Sequence, residues 1–125
     1  MLFGGKTSQD TNHAKGVAAE ERAADYLKQQ GYEIIHTRYK TKFGEVDIIA
    51  RHEDVICFVE VKMRQSAEDA LYAVTRRSRE RIEKSALYFI SEHSEMVDYA
   101  MRFDVITISK PFRIVHLDNA WEAGS

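Results

Sequence analysis

The sequence predicts an α/β fold, a mixed β-sheet with a helix on each face. Three observations carry this. Apolar residues recur at helical spacing in two separated stretches, about His13–Gln30 and Thr75–Glu92. Between them lie short runs rich in β-branched and aromatic residues, of which Val55-Ile-Cys-Phe-Val-Glu-Val-Lys62 is the most strand-like. The long connection from that run to the next strand has room for a helical crossover, which joins parallel neighbours.

Taken in order, residues 1–12 are polar and glycine-containing and are expected to be a flexible N-terminal segment, with 13–125 forming a single domain. In the first helix Val17, Ala23, Ala24, Tyr26 and Leu27 make the apolar face, Thr11 or Asn12 caps the start, and Gly31 ends it. Strands are expected at Tyr32–Tyr39, Glu45–Arg51 and Val55–Met63, the last two joined by a tight turn at Glu53-Asp54. Residues 64–74 read as a polar connection of weak helical character. The second helix buries Ile82, Ala86, Phe89 and Ile90, and strands follow at Arg102–Ser109 and Phe112–Leu117. The order is α-β-β-β-α-β-β.

A chain of 125 residues with 44% hydrophobic and 30% charged content can bury a core, which excludes a wholly disordered protein. No apolar run approaches the roughly 20 residues of a membrane span, and the first residues lack a signal-peptide core. A cytoplasmic protein with no membrane partner is the expectation. The lone Cys57 reads as a core residue. His13, His36, His52, His93 and His116 lack zinc-site spacing, and no glycine-rich phosphate loop is present, which argues against a zinc protein and an ATPase. A net charge of −2 gives no overall basic footprint, but Arg76, Arg77, Arg79, Arg81 and Lys84 crowd one helix.

The charged residues inside the strands are the most informative. Glu45 and Asp47 lie in Gly44-Glu-Val-Asp-Ile-Ile-Ala50, and Glu60 and Lys62 in the following strand. Burying such groups is costly unless they pair or hold a metal. If the turn pairs His52 with Val55, Asp47 falls opposite Glu60, and Glu45 opposite Lys62. Opposed side chains project to one face with β-carbons roughly 5 Å apart, and a one-residue slip would scatter them. Two carboxylates suit Mg²⁺ or Mn²⁺, and a nearby lysine can hold or deprotonate a water that attacks phosphate. The same residues also fit a structural ion pair of Lys62 with Glu45 or Glu60.

The Asp…Glu-x-Lys pattern after a leading helix resembles the restriction-endonuclease-like superfamily, whose signature is an acid followed by Asp/Glu-x-Lys on a neighbouring strand. The chain is similar to the YraN-type family of bacterial proteins in Gly16-x-x-Ala-Glu20-x-x-Ala23-x-x-Tyr26-Leu27, Gly31-Tyr32, Gly44-Glu-Val-Asp-Ile-Ile-Ala50, Phe58-Val-Glu-Val-Lys62, Arg64 and Arg102-Phe-Asp-Val105. The resemblance implies a restriction-endonuclease-like core with Asp47 and Glu60 as metal ligands and Lys62 as the catalytic lysine. It also matches Glu20 to a helix-borne acid of archaeal Holliday-junction resolvases.

Around this site, Glu45 pairs with Lys62 or joins the metal, and Glu20 is a ligand or an exposed helix acid. Asp104 is either structural and paired with an arginine, or borders the site. The Arg76, Arg77 and Arg81 face either grips phosphates or is a solvated surface tied by Glu80 and Glu83. Arg38, Lys40 and Lys42 would form a second arm of the groove, with Arg64 beside it. Trp121 closes the core or stacks on a base. The reading is a Mg²⁺- or Mn²⁺-dependent endonuclease acting on DNA, structure-selective because no separate recognition domain is present. The alternatives are a non-catalytic nucleic-acid-binding or interaction module and an RNA-directed nuclease, with monomer and homodimer both open.

Overall fold

The computed structural model describes residues 8–109 and 113–125. Helix α1 (Ser8–Gln29) is followed by β1 (Glu33–Thr41), β2 (Gly44–His52) and β3 (Val55–Met63). A short α2 (Ala67–Ala73) and a long α3 (Arg76–Glu92) then lead through a single 3₁₀ turn (Ser94–Met96) to β4 (Ala100–Ser109) and β5 (Arg113–Trp121). The five strands form one sheet in chain order, antiparallel except for the β3–β4 pair, which is parallel as the crossover requires. The fold is the expected mixed α/β architecture.

β3 lies at the centre of the sheet, and its residues alternate between two separate cores. Ile56 and Phe58 pack with Ile49, Phe103, Val105, Ile82, Ala86 and Phe89 under α3. Cys57 and Val59 pack with Ile48, Ala50, Ile106, Ala23 and Leu27 under α1. A strand covered on both faces reads as a continuous apolar run, which explains its sequence. Cys57 is a buried free thiol, pushed up to about 12 by burial first and then by the Asp104 charge. Trp121 also belongs to the core: it stacks on Phe103 at 5.2 Å and donates Nε1–H to Glu83 at 2.9 Å, so a role on bases is set aside.

Several boundaries differ from expectation. Helix α1 starts at Ser8, so Thr11 and Asn12 lie within it rather than at its start, while the rest of the expected flexible segment lies outside the described residues. The 64–74 connection holds a true helix, α2, whose N-cap Ser66 Oγ accepts from Asp69 N at 3.1 Å. β5 continues to Trp121 through a bulge in which Asn119 adopts φ 51°.

Candidate metal centre

The β2–β3 hairpin has the register on which the carboxylate cluster depends. His52 pairs with Val55, and the ladder runs to Ile48 opposite Val59. Glu53 takes φ 56° to make the tight turn. Beyond Ile48 the backbone ladder stops and the Asp47 carboxylate takes over, its Oδ2 accepting from Val61 N at 2.8 Å. Asp47 is thereby fixed beside Glu60, the neighbour of Val61 on the chain. The expected opposition of Glu45 and Lys62 is not made, because the paired ladder ends before reaching them.

Three acids from three elements converge at this end of the sheet. The Glu60 carboxyl is pushed up by burial first, then by the hydrogen bond and charge of Asp47, while Lys62 opposes the shift and Glu20 adds to it. Glu20, from α1, is pushed up to about 7 by burial, then by Asp47, with Arg38 pulling the other way. Arg38 Nε stands 3.8 Å from both Glu20 Oε1 and Glu45 Oε1, bridging two acids. Glu20 Oε1 is nonetheless buried without a hydrogen-bond partner. An all-oxygen cluster in which burial and then the neighbouring Asp47 raise Glu20 and Glu60, with one acceptor of Glu20 unsatisfied, has the donor chemistry that suits a hard divalent cation. Among the described residues, no three His, Cys, Asp or Glu side chains already stand as a preformed ligand cage. Mg²⁺ does not demand one, since it is usually held by one or two carboxylates and keeps its waters.

The raised carboxyl of Glu20 has a measurable consequence. Its folded-state value of about 7 lies above the ordinary 4.5. The folded chain therefore keeps a proton that the unfolded chain releases, and this stability is full below the ordinary range and lost as pH rises to about 7. In chelator, the melting temperature should fall between about pH 5 and 8 more steeply for the wild type than for Glu20→Gln. Millimolar Mg²⁺ or Mn²⁺ should recover the loss at the upper end. Parallel wild-type and Glu20→Gln profiles would show that burial of this acid costs nothing.

The other candidate residues separate into three groups. Glu45 is an exposed partner of Arg38, not of Lys62. Asp104 does not border the carboxylates. It is fully buried and committed to Arg102, His116 and the Asn119 amide, the arginine-paired alternative. Its partner across the parallel pair is Val59, while Glu60 stands opposite Val105. Arg64 lies just past β3, exposed, with Nη1 donating to Met63 O at 2.8 Å, at the rim of a cavity of about 700 Å³ that Lys15, Ala19 and Ile108 help to line.

The basic residues of α3 and of the β1–β2 hairpin form one surface. Arg77, Arg81 and Lys84 are exposed at helical spacing on α3. Gly44 holds φ 155°, a backbone conformation that favours glycine, and a β-carbon there would only touch Arg81 Cβ at 3.4 Å, so the helix packs closely on the hairpin. Thr41 Oγ1 and Ser85 Oγ are 2.9 Å apart, which pins the hairpin to α3 beside Lys40 and Lys42. Arg76 instead turns to Glu80 at 3.4 Å. Arg38, expected in the basic arm, belongs to the acid cluster. Nothing in its neighbourhood in the sequence signals this, because it depends on a bulged strand in which Arg38 takes φ 53°.

These features define a small α/β protein with a carboxylate–lysine cluster at the frayed end of an antiparallel strand pair. The family model described as uncharacterised protein family UPF0102 matches residues 19–108, a span that contains Glu20, Asp47, Glu60 and Lys62. The chain belongs to this family. It is 44% identical over 108 residues to a UPF0102 protein of Rhodopseudomonas palustris, covering 86% of this chain and 83% of the relative. A UPF0102 protein of Azorhizobium caulinodans is 41% identical over 110 residues, covering 88% of this chain and 84% of the relative. One from Nitrobacter winogradskyi is 42% identical over 110 residues, covering 88% and 93%. No helix among the described residues is long and apolar enough to cross a membrane.

Proposed function

We propose that this protein is a divalent-metal-dependent endonuclease of the restriction-endonuclease-like class, acting on DNA in the cytoplasm. The observation that carries the reading is the convergence of Asp47, Glu60 and Glu20 beside Lys62 at the end of the β2–β3 ladder. Asp47 and Glu60 would hold Mg²⁺ or Mn²⁺, with Glu20 as the third acid. When bound, such a cation polarises the phosphodiester and lowers the pKa of a water in its shell. Asp47 is aimed by the bond that its Oδ2 accepts from the Val61 amide, which fixes it beside Glu60. Lys62, two residues further along β3, places its amine where it orients the attacking water or takes its proton. The water adds to phosphorus as the bond to the leaving sugar oxygen breaks, and that oxygen takes a proton from bulk water.

The basic surface on α3 and the hairpin would bind phosphates, as point charges that need no base sequence. Arg77→Ala and Arg81→Ala should each weaken DNA affinity irrespective of sequence. Each should also reduce the salt slope of binding by about one. Unchanged affinity and slope would leave α3 an ordinary solvated helix. The direct test of the function is cleavage of duplex, flap, branched and single-stranded DNA with Mg²⁺ or Mn²⁺. Metal-dependent cleavage of at least one is expected. Tight DNA binding with no cleavage of any would make the protein a binding module, and cleavage of RNA alone would move its substrate class.

A further inference from the structure

The basic surface contains a pocket whose walls suit more than phosphate. Lys40, Thr41 and Lys42 of the β1–β2 hairpin face Tyr88 of α3 across a cavity of about 380 Å³. Its walls are held in place. Thr41 Oγ1 accepts from Phe43 N at 3.0 Å and from Gly44 N at 3.2 Å, and it meets Ser85 Oγ one turn before Tyr88. The Lys42 ammonium lies 5.3 Å from the Phe43 ring centroid, which keeps its charge at the hairpin tip. Tyr88 is 40% exposed, an aromatic presented to solvent with no place in either buried core. Lys40 stands opposite Glu45 in the β1–β2 register, and Glu45 lies two residues, about 7 Å along β2, from Asp47.

We propose that this pocket is a subsite for one unpaired nucleotide of a DNA strand, with Tyr88 stacking on the base and Lys40 and Lys42 taking the flanking phosphates. Two cations and one exposed aromatic form the pairing by which single strands are held without regard to sequence. A base inside continuous duplex is stacked on both sides and cannot offer its face to a side-wall tyrosine. The subsite therefore favours DNA with a single-stranded or unpaired portion adjoining the scissile phosphate. It rests on the nuclease reading for its ligand and its position, and binding measured without metal separates the two.

The experiment uses the full-length protein in chelator and fluorescence anisotropy. The probes are an oligothymidylate of about 10 nucleotides, an abasic strand of equal length and a matched duplex. Tyr88→Ala should bind the oligothymidylate about tenfold more weakly, while Tyr88→Phe binds it as the wild type does and duplex affinity is unchanged in both. The wild type should bind the abasic strand about as weakly as Tyr88→Ala binds the oligothymidylate. Lys40→Ala with Lys42→Ala should flatten the salt slope by about 1.4, two single-strand phosphates. The proposal is overturned if Tyr88→Ala binds the oligothymidylate normally, if Tyr88→Phe loses as much as Tyr88→Ala, or if the abasic strand binds as well as the thymidylate. Stacking without cleavage of any substrate would sink the nuclease reading and leave the subsite standing. Cleavage with no contribution from Tyr88 would do the reverse.

Discussion

Replacing Glu60 with Gln should abolish metal-dependent cleavage while leaving the melting temperature unchanged or raising it. The expected loss is on the order of a thousandfold or more, because a metal-held phosphate draws several kcal/mol of charge stabilisation from its ligands. Stability should move the other way. The Glu60 carboxyl is held up by burial and by Asp47, so its charged form is disfavoured in the fold, and a neutral isostere removes that penalty. Asp47 is not equivalent, although sequence alone treats the two acids alike. Its Oδ2 accepts from Val61 N, and Asp47→Ala would leave a strand amide unsatisfied at a cost of about 1–3 kcal/mol. Asp47→Asn keeps an oxygen for that amide and is the cleaner variant. Activity and melting temperature measured on Glu60→Gln and Asp47→Asn decide the matter. Retained cleavage with a large drop in melting temperature would make the cluster a structural network.

The parts of this protein that were legible in the sequence are those in which a period or a short turn governs position. The β2–β3 register follows from one turn at Glu53-Asp54, which pairs His52 with Val55 and carries the ladder to Ile48 opposite Val59. Helix α3 shows its buried face at Ile82, Ala86 and Phe89 because it packs one side on the sheet. What was not legible depends on contacts distant in sequence. The seven residues of α2 leave Leu71 and Tyr72 exposed and bury Ala70, so no amphipathic stripe marks them. The end of the ladder at Asp47 turns a backbone pair into a side-chain bond, and alternation cannot anticipate that. Glu45 consequently meets Arg38 rather than Lys62. The junction of Thr41 with Ser85 spans 44 residues and has no local signal at either end.

Asp104→Ala should be the most destabilising single change, and it should act on the fold before it acts on any chemistry. The carboxylate is fully buried and accepts Arg102 Nε and Nη2, each at 2.8 Å, His116 Nε2 at 2.8 Å and Asn119 N at 3.0 Å. Burial alone would raise this carboxyl, but the bonds from His116, Arg102 and the Asn119 amide outweigh it and hold it below its ordinary value. The Arg102 guanidinium is anchored in turn by the Tyr32 hydroxyl at 2.7 Å, and His52 stacks on that tyrosine. Removing the acid leaves Arg102 partly buried and unpaired and strips the β5 bulge of the acceptor that closes it. Breaking a buried pair from one side costs about 3–5 kcal/mol, a large part of the 5–15 kcal/mol typical of a whole domain. For a chain of this size that corresponds to a fall of roughly 10–20 °C in melting temperature. Adding Arg102→Ala should recover part of the loss, since the unpaired guanidinium is then gone too. The stability from a lowered carboxyl is present above its ordinary value and lost as pH falls through the folded value, so Asp104→Ala should blunt the acid limb of unfolding. A variant that melts within about 1 kcal/mol of wild type yet loses cleavage would place Asp104 in the chemistry. The bonds around it argue for the opposite: both of its oxygens are already committed to Arg102, His116 and the Asn119 amide.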